Sequence, residues 1–173
     1  MAILQIIQYP DLRLKRKGRL VKDIKASQVQ QAIQNMLQTL SVSQNCAALA
    51  ATQLDMEDPP RIVVINAGMN LGKVLCLINP EIVERSDATV VAEEGCMSIM
   101  PHSMQSIHVK VARAEKIKVK ALDIQGKKLI FEATDFLARC IQHECDHLQG
   151  VITLDYLKGD ERLVMEQKIT TRL

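Results

Sequence analysis

Gln142-His143-Glu144-Cys145-Asp146-His147 has the form H-E-x-x-H, and this 173-residue chain is read outward from it. On an α-helix, residues four apart lie one above the other on the same face, so His143 and His147 can offer two imidazole nitrogens to one metal ion. Glu144 follows the first histidine, near enough to handle the proton of a polarised water without being a ligand. That is the arrangement for metal-assisted hydrolysis of a carbonyl compound. Two histidines at this spacing also occur on ordinary solvated helices. The chain has only four histidines, however, and a glutamate stands in the working position, which favours the metal reading.

The helical pattern extends on both sides of the motif. Thr134 or Asp135 is the N-cap, and Phe136, Leu137, Cys140, Ile141 and Leu148 form the core side. Gly150 sits at C′, where the helix ends. Upstream, residues 107–111, 116–123 (KIKVKALD, apolar in and lysine out) and 128–132 (KLIFE) alternate as strands do. Residues 61–66 (RIVVIN) and 73–79 (KVLCLIN) read as two more strands joined by a Gly-bearing turn. Pro80 and Glu81 then introduce a separate extended stretch over 82–84. Residues 90–100 (VVAEEGCMSIM) read as a strand whose glycine marks a bend, followed by a loop over 101–106. Near the start, residues 3–8 (ILQIIQ) are a short strand or extended segment ended by Pro10. Ser27 then caps an amphipathic helix with Val29, Ala32, Ile33, Met36, Leu37 and Leu40 inward. Residues 160–169 form a charged, peripheral helix. Strands first and the key helix late predict an α+β fold, with mainly antiparallel sheets packed around the H-E-x-x-H helix in a single domain over 1–173.

Composition removes several function classes. Lys+Arg 22 against Asp+Glu 20 gives a net charge of +2, so no bulk field points to nucleic acid or to a membrane. The basic cluster at 13–19 (RLKRKGR) reads as a solvated loop. Aromatic residues are only 2% of the chain, which argues against a base-stacking platform. No apolar run approaches the ~20 residues that span a bilayer. The five cysteines (46, 76, 96, 140 and 145) form no C-x-x-C pair, as expected of free thiols in a reducing compartment. The expected setting is the cytoplasm, and Cys76, within a Val/Leu/Ile run, is expected in the core.

A catalytic metal site usually has three protein ligands and one open position. A third ligand six residues after His147 is excluded, because Thr153 stands there. Glu161 or Glu166 would complete a His2Glu peptidase site. A cysteine thiolate would also serve. Cys145 points off the histidine face. Cys140 shares that face, but it fits the apolar core pattern, and three ligands in one file splay too far for tetrahedral closure. Cys96, beside Gly95 and two acids, has the local setting of a site residue, though spacing alone cannot bring it to the helix.

Residues 46–53 (CAALAATQ), 94–98 (EGCMS) and 142–150 (QHECDHLQG) together resemble the three motifs of peptide deformylase, in order and with matching separations. The flanks YPDLRL, LINPEI, RAEKIKVKALD and LDYL are similar too, so the resemblance spans nearly the whole chain. It implies that Cys96, His143 and His147 hold one divalent metal ion, Fe²⁺ in the cell with Zn²⁺ or Ni²⁺ as substitutes. It implies Glu144 as the proton carrier, with the Gln53 side-chain amide and the Met97 backbone N–H holding the oxyanion. The implied substrates are N-formyl-methionyl peptides, met beside the ribosome, with formate released. Ala48, Ile99 and Ile141 are the expected substrate-binding residues, Glu94, Gln142 and Asp146 the expected supports, and His102 and His108 surface residues. A His2Glu metallopeptidase and a peptide-binding paralogue without turnover are the alternatives; the intact Glu144 speaks against the latter.

Two departures from the family pattern stand out. Cys46 and Ala48 replace two glycines of the first motif, which predicts a narrower cleft and strain wherever φ > 0 is required. The stretch 99–112 is longer than usual, Met100-Pro101 replaces the common Ile/Val-Pro step, and the family's substrate-facing arginine has no counterpart unless Ser103 or Gln105 takes its ground. The expectation is normal metal binding, with turnover of formyl-Met peptides weaker or shifted in range.

Overall fold

The structure, a computed structural model, describes residues 2–66, 74–99 and 107–170. The Gly-bearing turn before Val74 and the loop with His102, Ser103 and Gln105 lie outside the described residues. Among the described residues there are seven strands: β1 (Ala48–Ala50), β2 (Ile62–Asn66), β3 (Val74–Arg85), β4 (Thr89–Gly95), β5 (His108–Ala114), β6 (Lys116–Leu122) and β7 (Lys128–Thr134). Three α-helices accompany them: α1 (Ser27–Val42), α2 (Asp135–His147) and α3 (Gly159–Thr170). Every strand pairing is antiparallel. One sheet has the order β1-β2-β3-β6-β7, and β4 and β5 form a second sheet of two strands. The α+β expectation holds.

The five-stranded sheet is a middle layer, and the period of two explains how it is covered on both faces. In β2, Val63 and Ile65 face α2, packing with Leu77, Ile117, Val119, Ala138, Ile141 and Leu148. Ile62 and Val64 face the other way, onto Val29, Ile33, Met36 and Leu40 of α1. A strand buried on both faces reads as a continuous apolar run, and β2 does. Truncating Met36, fully enclosed in this layer, to alanine would cost ~2–5 kcal/mol. The β4–β5 sheet builds a third cluster, in which Cys96, Ile99, Val109 and Val111 pack with Ile7, Leu14, Ile152 and Leu154. Peripheral α3 adds only Met165 and Ile169 to it.

Several local expectations change. The two strands read around Pro80 are one, β3, and its ladder with β6 shifts register between Ile78 and Glu81. Asn79 takes φ 51 there, and its side-chain amide bonds both backbone groups of Val21. The bulge lets a proline, which has no N–H to give, sit inside the strand. Ser27 is the first residue of α1, not its cap; Ala26 holds the cap position without a side-chain bond. Phe136 is 52% exposed instead of buried. Helix α2 ends with Leu148 as its cap, so Gly150 lies two residues beyond the cap. Gly150 still makes the turn, at φ +76 with the Lys15 carbonyl where a Cβ would be. The cluster at 13–19 is solvent-facing as expected, though partly a 3-10 turn and paired at the surface: Arg13 bonds Asp11 and Asp55, Lys15 bonds Asp155, and Arg19 bonds Asp58.

Candidate metal centre

Helix α2 and the end of β4 meet at one point. His143 and His147 project from the same face of α2, with their Nε2 atoms 3.2 Å apart. Cys96, the first residue after β4, brings its Sγ to 3.3 Å from His147 Nε2. The three ligand atoms lie within 4.8 Å of one another, and all three residues are buried. Ligands at ordinary Zn–N and Zn–S bond lengths in a tetrahedral shell stand ~3.3–3.6 Å apart, so the set fits a divalent cation. Thiolate and imidazole are also the donors such borderline ions take. A second observation fits: Glu144, beside this set, is buried with Oε2 lacking any hydrogen-bond partner, the position for a proton acceptor facing a coordinated water.

The charges around the centre are arranged to hold it. His143 Nδ1 lies 2.9 Å from Glu94 Oε2, which orients the ring and leaves Nε2 for the centre. Burial works against a charged His143, but its bonds to Cys96 and Glu94 hold its pKa well above the usual histidine value. His147 goes the other way, lowered by burial and by the charge of His143. Burial raises Glu144 to about 7, opposed by His143 and the Ala50 backbone. Glu94 in turn takes a two-pronged bond from Arg113, Nε at 2.8 Å and Nη2 at 2.9 Å, and a third from Arg139 at 2.7 Å. Although burial disfavours its charge, Arg113 and His143 hold its carboxyl far below the usual carboxylate range. Arg113 also bonds Asp146 and the Tyr156 hydroxyl, and its guanidinium lies over the Tyr156 ring. Gln142 instead docks α2 onto the end of β5, bonding both backbone groups of Ala114.

Arg113, Arg139 and Tyr156 were missed as site residues from sequence. Arg113 carried a signal: Val109 and Val111 are the buried positions of β5, and the next position in that alternation is a charge. The other two carried none.

A cavity of about 910 Å³ opens beside the centre, reached by Cys96, His143, Glu144, Gln53, Met97 and Ala48. Gln53 Oε1 accepts from the Ala50 N–H at 2.9 Å, which aims its Nε2 towards Cys96 Sγ (3.7 Å) and Ser98 Oγ (3.2 Å). Ile99 and Ile141 do not line the cavity. Each is 1% exposed and is used up in a core cluster, Ile99 under β4–β5 and Ile141 under the large sheet. Phe136, Cys140 and Arg139 form that wall instead. His108 is exposed as expected, yet it stands at the cavity, across from Gly95. Neither Cys46 nor Ala48 has a positive φ; Asn45 does, at 57, so the expected strain at the two glycine replacements is absent. Burial pushes the Cys46 and Cys140 thiols up to about 12, leaving both as neutral wall groups. Glu161 is an exposed residue of α3, and Glu166 is bonded to Tyr9 and Arg162. Cys96, not a downstream glutamate, completes the only such cluster among the described residues.

Comparison with known proteins agrees with this geometry. The family described as polypeptide deformylase matches residues 3–163. The chain is 47% identical over 165 residues to peptide deformylase 1 of Coxiella burnetii, covering 95% of this chain and 94% of that protein. Among solved structures, a peptide deformylase from Legionella pneumophila superposes with a TM-score of 0.86 at 32% identity, over 98% of this chain and 95% of that one. The Ehrlichia chaffeensis peptide deformylase in complex with actinonin gives 0.85 at 31% identity, over 99% and 98%.

Proposed function

The chain belongs to the polypeptide deformylase family, and we infer from that membership that it removes the N-terminal formyl group from nascent peptides by metal-dependent hydrolysis. The observation that carries the reading is the convergence of Cys96, His143 and His147 beside the buried, unpartnered Oε2 of Glu144. Cys96, His143 and His147 would hold one divalent cation, which would supply a Lewis acid able to lower the pKa of water from ~16 towards ~7. We propose Fe²⁺ as the ion in the cell, with Zn²⁺ or Ni²⁺ as substitutes, in keeping with a thiolate and two imidazoles.

The residues of this chain do the rest. Glu144 takes the proton of the attacking water and returns it to the departing amine nitrogen. Gln53, its amide held by the Ala50 N–H, and the Met97 N–H donate to the developing oxyanion. Glu94, gripped by Arg113, keeps the His143 ring in place. The methionine side chain goes to the apolar part of the cavity that Phe136 and Cys140 line. Formate and a peptide with a free N-terminus leave. Residues 1–173 are read as one catalytic domain acting on chains emerging from the ribosome. Cytoplasmic residence is supported by five free cysteines. Among the described residues no helix is long and apolar enough to cross a membrane.

The test is release of formate from a formyl-methionyl peptide by the Fe²⁺- or Ni²⁺-loaded protein. Glu144→Ala is expected to lower the rate by ~10²–10⁴ while metal content stays the same. No formate from the loaded wild-type protein would overturn the reading.

A further inference from the structure

Strand β1 is the edge of its sheet, and its peptide groups divide into two sets. The Ala47 carbonyl accepts from Asn66 N–H at 2.8 Å, so residues 47 and 49 turn their hydrogen-bonding groups towards β2. Ala48 and Ala50 turn theirs the other way, since neighbours along a strand alternate. This free edge is withdrawn from bulk solvent, since all three residues of β1 are buried. A peptide group there that has no strand partner favours another one. Ala50 finds one in Gln53. Ala48 finds one in its own near neighbour: Cys46 Sγ–H donates to the Ala48 carbonyl at 3.3 Å. Both Cys46 and Ala48 line the cavity that holds Glu144 and Cys96.

We propose that the Cys46 thiol is a displaceable plug on the Ala48 carbonyl, and that residue 46 thereby sets how tightly the enzyme takes up its peptide. The proposal rests on the deformylase reading. An extended peptide entering along the edge of β1 offers a main-chain N–H to the carbonyl that the thiol occupies, and the thiol swings away. A thiol suits the role because it is a weak donor. It satisfies the carbonyl of the free enzyme yet yields to an amide N–H, whereas a hydroxyl would compete in earnest. The centre of Cys96, His143 and His147 takes no part in the exchange, so the hydrolytic step is untouched.

The experiment compares formate release by the metal-loaded wild-type protein, Cys46→Ala and Cys46→Ser, with metal content measured for each. The expected order of KM is Ala below Cys below Ser, each step roughly two- to fivefold, at constant kcat and metal content. If residue 46 acted through bulk alone, Ser, the smaller side chain, would fall below Cys; that order overturns the proposal. Equal KM values, or an effect confined to kcat, overturn it as well. A second measurement needs no variant: the infrared S–H stretch of the wild-type protein should gain an unbonded thiol when the deformylated product peptide binds, and an unchanged band overturns the proposal. Failure of the deformylase reading is distinct, since the wild-type protein would then release no formate at all.

Discussion

One wall of the cavity is braced by charge and the other by the pairing of one strand edge. On the α2 side, His143, Glu94, Arg113, Asp146 and Tyr156 form a continuous bonded set, with Glu94 and Arg113 both nearly inaccessible to water. On the β1 side, Cys46 to Ala48 is backbone and small side chains, with one sulfur contact closing the edge. The braced wall has to keep three ligand atoms in one arrangement, and buried charges that are fully partnered do so because any displacement strands one of them. The loose wall has to admit a chain and let it go.

The sharpest way to break this division is at the centre itself. Cys96→Ala is expected to abolish metal retention in dialysis and, with it, formate release, a larger effect than the ~10–100-fold that loss of an orienting neighbour causes. Glu161→Gln, a change on exposed α3, should leave both intact; retention of metal by Cys96→Ala and its loss in Glu161→Gln would restore the peptidase reading. Next comes the brace. Arg113→Met leaves the buried Glu94 and the half-buried Asp146 without their main partner, and unfolding by denaturant should show a loss of ~3–5 kcal/mol, with metal affinity falling too.

A third prediction concerns pH. Glu144 has its pKa raised by burial from 4.5 to about 7. A raised carboxylate pKa favours the folded state when protonated, so this stabilisation is complete below pH ~4.5 and is lost as pH rises through about 7. In chelator-treated protein, Glu144→Gln, a fixed mimic of the protonated form, should therefore be more stable to denaturant than wild type above pH 7, by at most ~3 kcal/mol. The gap should close towards pH ~4.5, and a gap that widened on acidification would refute the assignment. The smallest effect is expected on the loose wall: Ala48→Gly, which removes a Cβ from the cavity lip, should shift KM for a formyl-methionyl peptide by no more than ~fivefold, with kcat and metal content unchanged. A change of kcat there would mean that the two walls are not independent.

The sequence by itself determined what depends on local geometry. Residues four apart on a helix must share a face, so His143, Glu144 and His147 were legible as a unit. The alternation of residues 116–122 showed a half-covered strand, and mainly antiparallel pairing followed from strands spaced by short turns. The cysteine was nameable only through resemblance to a family, because no periodicity links residue 96 to residue 143. Their meeting is decided by how the β4–β5 sheet lies against α2. The same holds for Arg113 reaching Glu94 across a strand pair, for Phe136 turning out of the core into the cavity wall, and for Ile99 and Ile141 turning away from it. It holds for the free edge of β1, whose Ala48 carbonyl is left to the Cys46 thiol because the sheet stops there. Hydrogen bonds within a helix or across a turn span a few residues and leave their mark in the sequence. Contacts between distant segments depend on register and packing, and only the tertiary structure decided those.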